Sequence, residues 1–199
     1  MMSSINRRKI TKMIDLSRST QYVTALKHMV LIHFKKIKSE LIEEFKTHPV
    51  TIEIEAGPQA RNSSGTLGGN GNLFSFIGFS EGDKPTKPIY SKLESISLGS
   101  TIIMRDGRSR TTVKYPTAGD IFNVTPMPWA EGRSWAKGIE SGIAGLGLYL
   151  NKKDTGRSGA GIQRHSESLG GKFRNTQYIS KMIKDFERKI LTLDSNIVV

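Results

Sequence analysis

Several residue types in this chain could do chemistry, but their spacing argues against the usual reactions. Its glycine-rich runs invite a phosphate loop, where backbone N–H groups cradle an anion and a following Lys and hydroxyl hold phosphate and magnesium. Gly170-Gly171-Lys172 comes nearest, yet Phe173 stands where the hydroxyl is needed and Ser166 where the leading glycine belongs. Gly145-Leu146-Gly147 runs straight into Leu148-Tyr149-Leu150. It lacks the third glycine of a dinucleotide fingerprint and falls inside a helical pattern rather than after a strand. His28 and His33 are five residues apart, a step that does not bring two metal ligands onto one helical face. Glu53 and Glu55 read as neighbours on the solvent side of a strand, where carboxylates are ordinarily solvated or paired with Lys and Arg. No Ser, Thr or Lys has a recognisable nucleophile setting. The chain has no cysteine, which removes disulfides, thiolate metal sites and cysteine nucleophiles. The expectation is a non-enzymatic protein with no cofactor, no metal and no small-molecule substrate.

Charge is the more informative chemistry. The 199 residues carry a formal net charge of +12. Residues 1–48 hold 10 Lys/Arg against 4 Asp/Glu, residues 49–131 hold 8 against 8, and residues 132–199 hold 12 against 6. Basic ends around a neutral middle favour an anionic partner, either nucleic acid or an acidic protein surface. Arg7, Arg8, Lys9 and Lys12 in the N-terminal arm and Arg105, Arg108 and Arg110 at a hairpin tip are the candidate contacts. No helix-turn-helix, zinc finger or paired aromatic sheet motif accompanies them.

Positioning these residues requires few elements. Residues 1–18 read as a basic arm. Ser19 or Thr20 then caps a helix whose apolar stripe runs Val23, Leu26, Val30, Phe34, Ile37, Leu41 and Phe45, until Pro49 forces His48 out of helical geometry. Val50 to Ala56 alternates strictly and reads as a half-buried strand, stopped by Gly57-Pro58. A Gly-rich excursion over 57–72 leads to a second expected strand, 73–79, paired with the first. Residues 89–96 fit either a short helix or a strand. Residues 101–115 read as a hairpin turning at Asp106-Gly107. Ile121 to Thr125 suggests one more strand. A helix over 133–150 presents Trp135, Ile139, Ile143, Leu146 and Leu150, and Trp129 and Trp135 read as packing residues. A Gly/Ser/Arg-rich stretch precedes a last helix capped at Asn175 or Thr176, with 192–199 as a tail. The fold class expected is therefore α+β. A long N-terminal amphipathic helix and C-terminal helices pack on a small, mainly antiparallel sheet with long Gly-rich arms. The core domain spans 19–150 and the linker, helix and tail span 151–199.

No segment approaches the roughly 20 apolar residues of a membrane helix, and the N-terminus lacks the apolar centre of a secretion signal. Residence in a cytosol, with no membrane partner, is the default expectation.

Three stretches together resemble a known class. They are the helix ending in His48-Pro49 with the expected strand after it, Ser64-Gly65-Thr66-Leu67 through Asn72-Leu73-Phe74-Ser75-Phe76-Ile77-Gly78-Phe79, and Pro128-Trp129-Ala130-Glu131-Gly132-Arg133-Ser134-Trp135 through Gly138-Ile139-Glu140-Ser141-Gly142. Their order resembles virion structural proteins of tailed bacteriophages, most of all the neck and tail-completion proteins that join head connector to tail. The resemblance covers about residues 20–150 and rests on layout rather than a signature motif. It implies a homo-oligomeric ring around the DNA channel, other neck and tail proteins as partners, assembly in the host cytoplasm and no catalytic residues. Asn62, Ser64, Gly65, Leu67 and Asn72 in the first Gly-rich arm, and Arg157, Ile162 and Gln163 in the second, are then the subunit-interface candidates, because an extended segment can add itself to a neighbouring sheet. The longer C-terminal region and the basic arm depart from the simplest such proteins and leave the tier of the neck open. The alternatives are a basic nucleic-acid-binding accessory protein, or another tail component such as a tail terminator or baseplate piece.

Overall fold

The computed structural model describes residues 19–67, 71–103, 109–141 and 176–195. The class is α+β, with a long N-terminal helix, further helices and two antiparallel sheets of two strands each. Helix α1 spans Thr20–Thr47. Ser19 caps it, its Oγ accepting from the N–H of Tyr22 at 3.1 Å. Leu26, Val30, Phe34, Leu41 and Phe45 of the expected stripe are buried. His48 is extended (φ −65°, ψ 132°) and caps helix α2, Pro49–Glu55, with Nδ1 accepting from the Val50 N–H at 3.3 Å. Proline at the first helical position suits this, since its missing N–H would have no partner there.

The expected strand over 50–56 is thus a helix. Its buried residues are Val50, Thr51, Glu53 and Ile54, a helical spacing, while Ile52 is 48% exposed. The alternation was misleading because two polar side chains, Thr51 and Glu53, are buried with partners. The expected strand over 73–79 is helix α3, Leu73–Ile77. Asn72 caps its start through Oδ1 and the Ser75 N–H (2.9 Å), and Gly78 ends it at φ +90°. The two strands that were to pair across the Gly-rich excursion are therefore absent, and the excursion joins two short helices.

Helix α4, Lys87–Glu94, resolves the ambiguous segment. Strands β1, Ser97–Ile103, and β2, Ser109–Lys114, pair antiparallel as the hairpin reading requires, with Ile103 opposite Ser109. The Asp106-Gly107 turn lies outside the described residues. Residues 121–125, expected as a strand, instead contribute to helix α5, Ala118–Asn123. A capping box starts it: the Thr117 Oγ1 accepts from the Asp120 N–H, and the Asp120 carboxylate accepts from the Thr117 N–H. Strands β3, Pro126–Met127, and β4, Ala130–Ser134, form the second sheet. Helix α6, Trp135–Ser141, begins two residues later than the expected 133, because residues 130–134 are drawn into β4; the continuation to 150 lies outside the described residues. Helix α7 spans Ile179–Ser195, so it starts after the expected cap and takes in part of the expected tail.

The chain divides into two compact units. Unit one comprises residues 1–40, 96–115 and 186–199, and unit two residues 41–95 and 116–185. Unit two holds most of the core. Phe45 stacks on Tyr178 (centroids 6.0 Å) and meets Tyr90 edge-on (4.8 Å), while Trp135 lies 6.4 Å from Tyr178. The Tyr178 hydroxyl shares a 2.7 Å hydrogen bond with Thr51 Oγ1, and burial pushes its pKa well upward. Tyr90 is pushed up to about 12, first by burial and then by Glu55. Trp129 donates from Nε1 to the Ile77 carbonyl at 2.7 Å, and a Cβ at Gly78 would lie 3.0 Å from its ring.

Glu53 organises this unit. It is fully buried. Oε2 accepts from the Ser64 N–H at 2.8 Å and Oε1 from the Leu73 N–H at 2.7 Å. One carboxylate thereby satisfies a loop amide and one of the four orphan amides at the start of α3. Charge-assisted bonds of this kind contribute about 1.5–3 kcal/mol each. Replacing Glu53 by Ala leaves both amides unsatisfied, and we expect E53A to lower the unfolding free energy by about 3–5 kcal/mol in urea titrations, with E53Q in between. Equal stability of all three proteins would contradict this role.

His48 gives a pH signature. It lies half-buried, 4.7 Å from the Tyr178 ring. Burial lowers its pKa from 6.5, Lys181 lowers it further, and a hydrogen bond with the Gln177 backbone opposes both. The unfolded chain therefore takes up the proton first, so the contribution is complete above pH 6.5 and is lost as pH falls through and below it. Asn keeps a capping oxygen without titrating. The unfolding midpoint of H48N is expected to fall less than that of the native chain between roughly pH 7.5 and 5; parallel curves would refute the assignment.

Candidate interaction surface

Unit one is built differently. Its buried apolar residues, among those described, are Leu26, Val30, Phe34, Ile96 and Phe186. It exposes Met29 (44%), Leu31 (36%), Ile32 (51%), Ile102 (61%), Tyr115 (37%) and Leu191 (75%). Ile52 is the one other large apolar residue exposed among the described residues. Among the described residues, the exposure of large apolar side chains is thus concentrated in the smaller of the two units.

The β1–β2 hairpin supplies part of it. Thr101 and Thr111 share a 3.0 Å cross-strand hydrogen bond, and Ile102 lies opposite Arg110. β1 carries one extra residue between Leu98 and Thr101, a bulge at which Gly99 passes so close to β2 that a Cβ would sit 3.0 Å from the Thr112 carbonyl oxygen. Two strands alone make a marginal sheet with two edges. Inside unit one, a cleft of about 290 Å³ is lined by Leu98, Val113 and Tyr115 from the hairpin, Val30 from α1, and Ile190 and Leu191 from α7. Tyr115 stands 5.6 Å edge-on from Phe186. Burial, and then Glu187, raise its pKa, which is the opposite of what a catalytic base or nucleophile requires. Lys38 donates to the Ile96 carbonyl and Lys189 to Glu40, each at 2.8 Å, holding the three segments of this unit.

The candidates from the sequence fall into three groups. Asn62, Ser64, Gly65, Leu67 and Asn72 belong to unit two, where most are engaged by their own chain. Ser64 is held by Glu53 and bonds Thr66 Oγ1 at 2.7 Å, Leu67 is 6% exposed, and Asn72 both caps α3 and donates to the Pro58 carbonyl at 2.8 Å. Gly65 is exposed at φ +66°. The Asn62 side chain has buried, unpartnered Oδ1 and Nδ2. Arg110 is exposed on β2, beside Ile102. Arg7, Arg8, Lys9, Lys12, Arg105, Arg108, Arg157, Ile162 and Gln163 lie outside the described residues.

Met29, Ile32, Ile102 and Leu191 were not visible as surface residues in the sequence. For α1 a signal existed, a second apolar spacing through Ala25, Met29 and Ile32 beside the main stripe. Among the described residues no group of three His, Asp or Glu side chains could hold a metal ion, and no helix is long and apolar enough to cross a membrane. No protein-family model, curated protein or solved structure matches the chain.

If these apolar residues serve an external contact, removing them costs the isolated fold little. I32S and I102T are expected to unfold within about 0.5 kcal/mol of the native chain. A loss of 2 kcal/mol or more, the scale of core truncations, would mean that they pack internally.

Proposed function

We propose that this chain is a structural subunit of a tailed-phage virion, of the neck or tail-completion kind, that assembles into a homo-oligomeric ring joining head connector to tail around the DNA channel. The virion class rests on the resemblance of the three stretches described above. The observation that carries assembly is the apolar exposure of unit one, with Ile102 at 61% and Leu191, which lines the cleft, at 75%. Covering one such partly exposed side chain contributes at most about 1.5–3 kcal/mol, and association costs about 4–15 kcal/mol in lost freedom, so several must be covered together. The 57–72 excursion is tied to its own chain, which moves the weight of the assembly reading from that arm to unit one. A ring needs two different surfaces on each subunit; the hairpin and α7 flank one cleft and together offer one of them.

Sedimentation velocity and negative-stain imaging of the full chain test this. Rings of identical subunits are expected, and L191K combined with I102K should reduce them to monomers. A chain that stays monomeric at high concentration, alone and with neck and tail proteins of a tailed phage, would overturn the proposal. If that monomer instead binds duplex DNA with steep salt dependence, it is a nucleic-acid-binding accessory protein.

A further inference from the structure

The N-terminal half of α1 carries a second face that the described residues of its own unit leave exposed. Ala25, Met29 and Ile32 follow one another at steps of four and three, and all are exposed, Met29 at 44% and Ile32 at 51%. At about 100° per residue this seam lies roughly 130° around the helix from the buried stripe. Steps of three and four are the spacing by which one helix receives another. The seam is narrow and aliphatic, and no exposed aromatic anchors it, which suits a helix better than a lipid surface.

Its charge is one-sided. Thr20 to Ser39 contains no acidic residue; Lys36 lies on the seam and Lys35 on its flank, whereas Lys27 and Lys38 lie on the far side of the helix, where Lys38 donates to the Ile96 carbonyl. Lys36 continues the seam one turn beyond Ile32, and His28 and His33 border it, all three exposed. The same half of α1 from a second copy, laid on this face, would bring more cations to a surface without an anion. Residues 1–18 and 142–175 of the same chain are also net basic.

We infer that this face of α1 docks an amphipathic helix of a different protein, one with an apolar seam at three–four spacing flanked by Asp or Glu. The apolar contact supplies affinity, and the charge pattern selects the partner. This deepens the assembly proposal by giving the chemistry of one virion partner.

Synthetic three-heptad helical peptides test it against the full chain by fluorescence anisotropy. A peptide with Leu in the seam and Glu on the flanks is expected to bind. The same peptide with Lys flanks, or with Ser in the seam, should bind at least about tenfold more weakly. M29S and I32S should weaken the Glu peptide by about tenfold, while I102T leaves it unchanged. Equal binding of Glu and Lys peptides, or no binding, would overturn the inference. So would recruitment to phosphatidylglycerol vesicles that I32S abolishes, or a self-association that I32S dissolves. Failure here with rings intact removes the docking face alone, whereas peptide binding by a chain that never forms rings removes the ring proposal alone.

Discussion

A carboxylate removed from water must be given back its hydrogen bonds by the protein, and in unit two Glu53 receives them from two backbone amides of a segment that has little else to hold it. The 57–72 excursion is rich in Gly, Asn and Ser and offers Leu67 as its main apolar anchor. Without a fixed acceptor, its amides would find water as readily as protein. With one, Ser64 and the first turn of α3 are located together, and Leu73, Phe74, Phe76 and Ile77 are delivered to the core. The aromatic cluster around Tyr178 then has a wall to pack against, and α2, which carries Glu53, also carries Thr51, the partner of the Tyr178 hydroxyl.

The two units divide the work that a single-core protein does once. Apart from the Asn62 side chain, unit two pairs its buried polar groups: Glu140 accepts from the N–H and hydroxyl of Ser180 at the start of α7, Asn72 and Thr117 cap their helices, and Trp129 spends its indole N–H on a carbonyl. Unit one stops short of that. Its hairpin has few cross-strand devices, its helices present apolar residues outward, and its charge is of one sign along α1 from Thr20 to Ser39. Polar pairing thus predominates in one body and apolar exposure in the other.

The long elements were legible because their signals repeat. α1 shows its stripe through seven apolar positions and ends at a proline, and the hairpin is bracketed by alternation around Asp-Gly. The short helices were not legible from periodicity, because the seven residues of α2 make only about two turns and the five of α3 fewer still. In α2 the decisive fact is that Thr51 and Glu53 face inward, which depends on partners at Tyr178, Ser64 and Leu73 that no local pattern reveals. Caps carried the missing information. Asn72 and Gly78 bracket α3, and Thr117 with Asp120 announces α5, so the punctuation was a better guide there than the hydrophobic rhythm. The exposed surface of unit one was the least readable part, since an apolar residue is written the same way whether it is covered or open.

Gly78 does two things at once: its left-handed backbone ends α3, and its missing side chain lets the Trp129 ring lie against the main chain. Any enlargement at position 78 must be answered by a smaller residue at 129, and that smaller residue would abandon the Ile77 carbonyl. The pair is thus locked for divergence. Sequences descending from a common ancestor with this fold should keep glycine and tryptophan together or exchange both, a linked inheritance that would identify distant kin even where the rest of the chain has drifted.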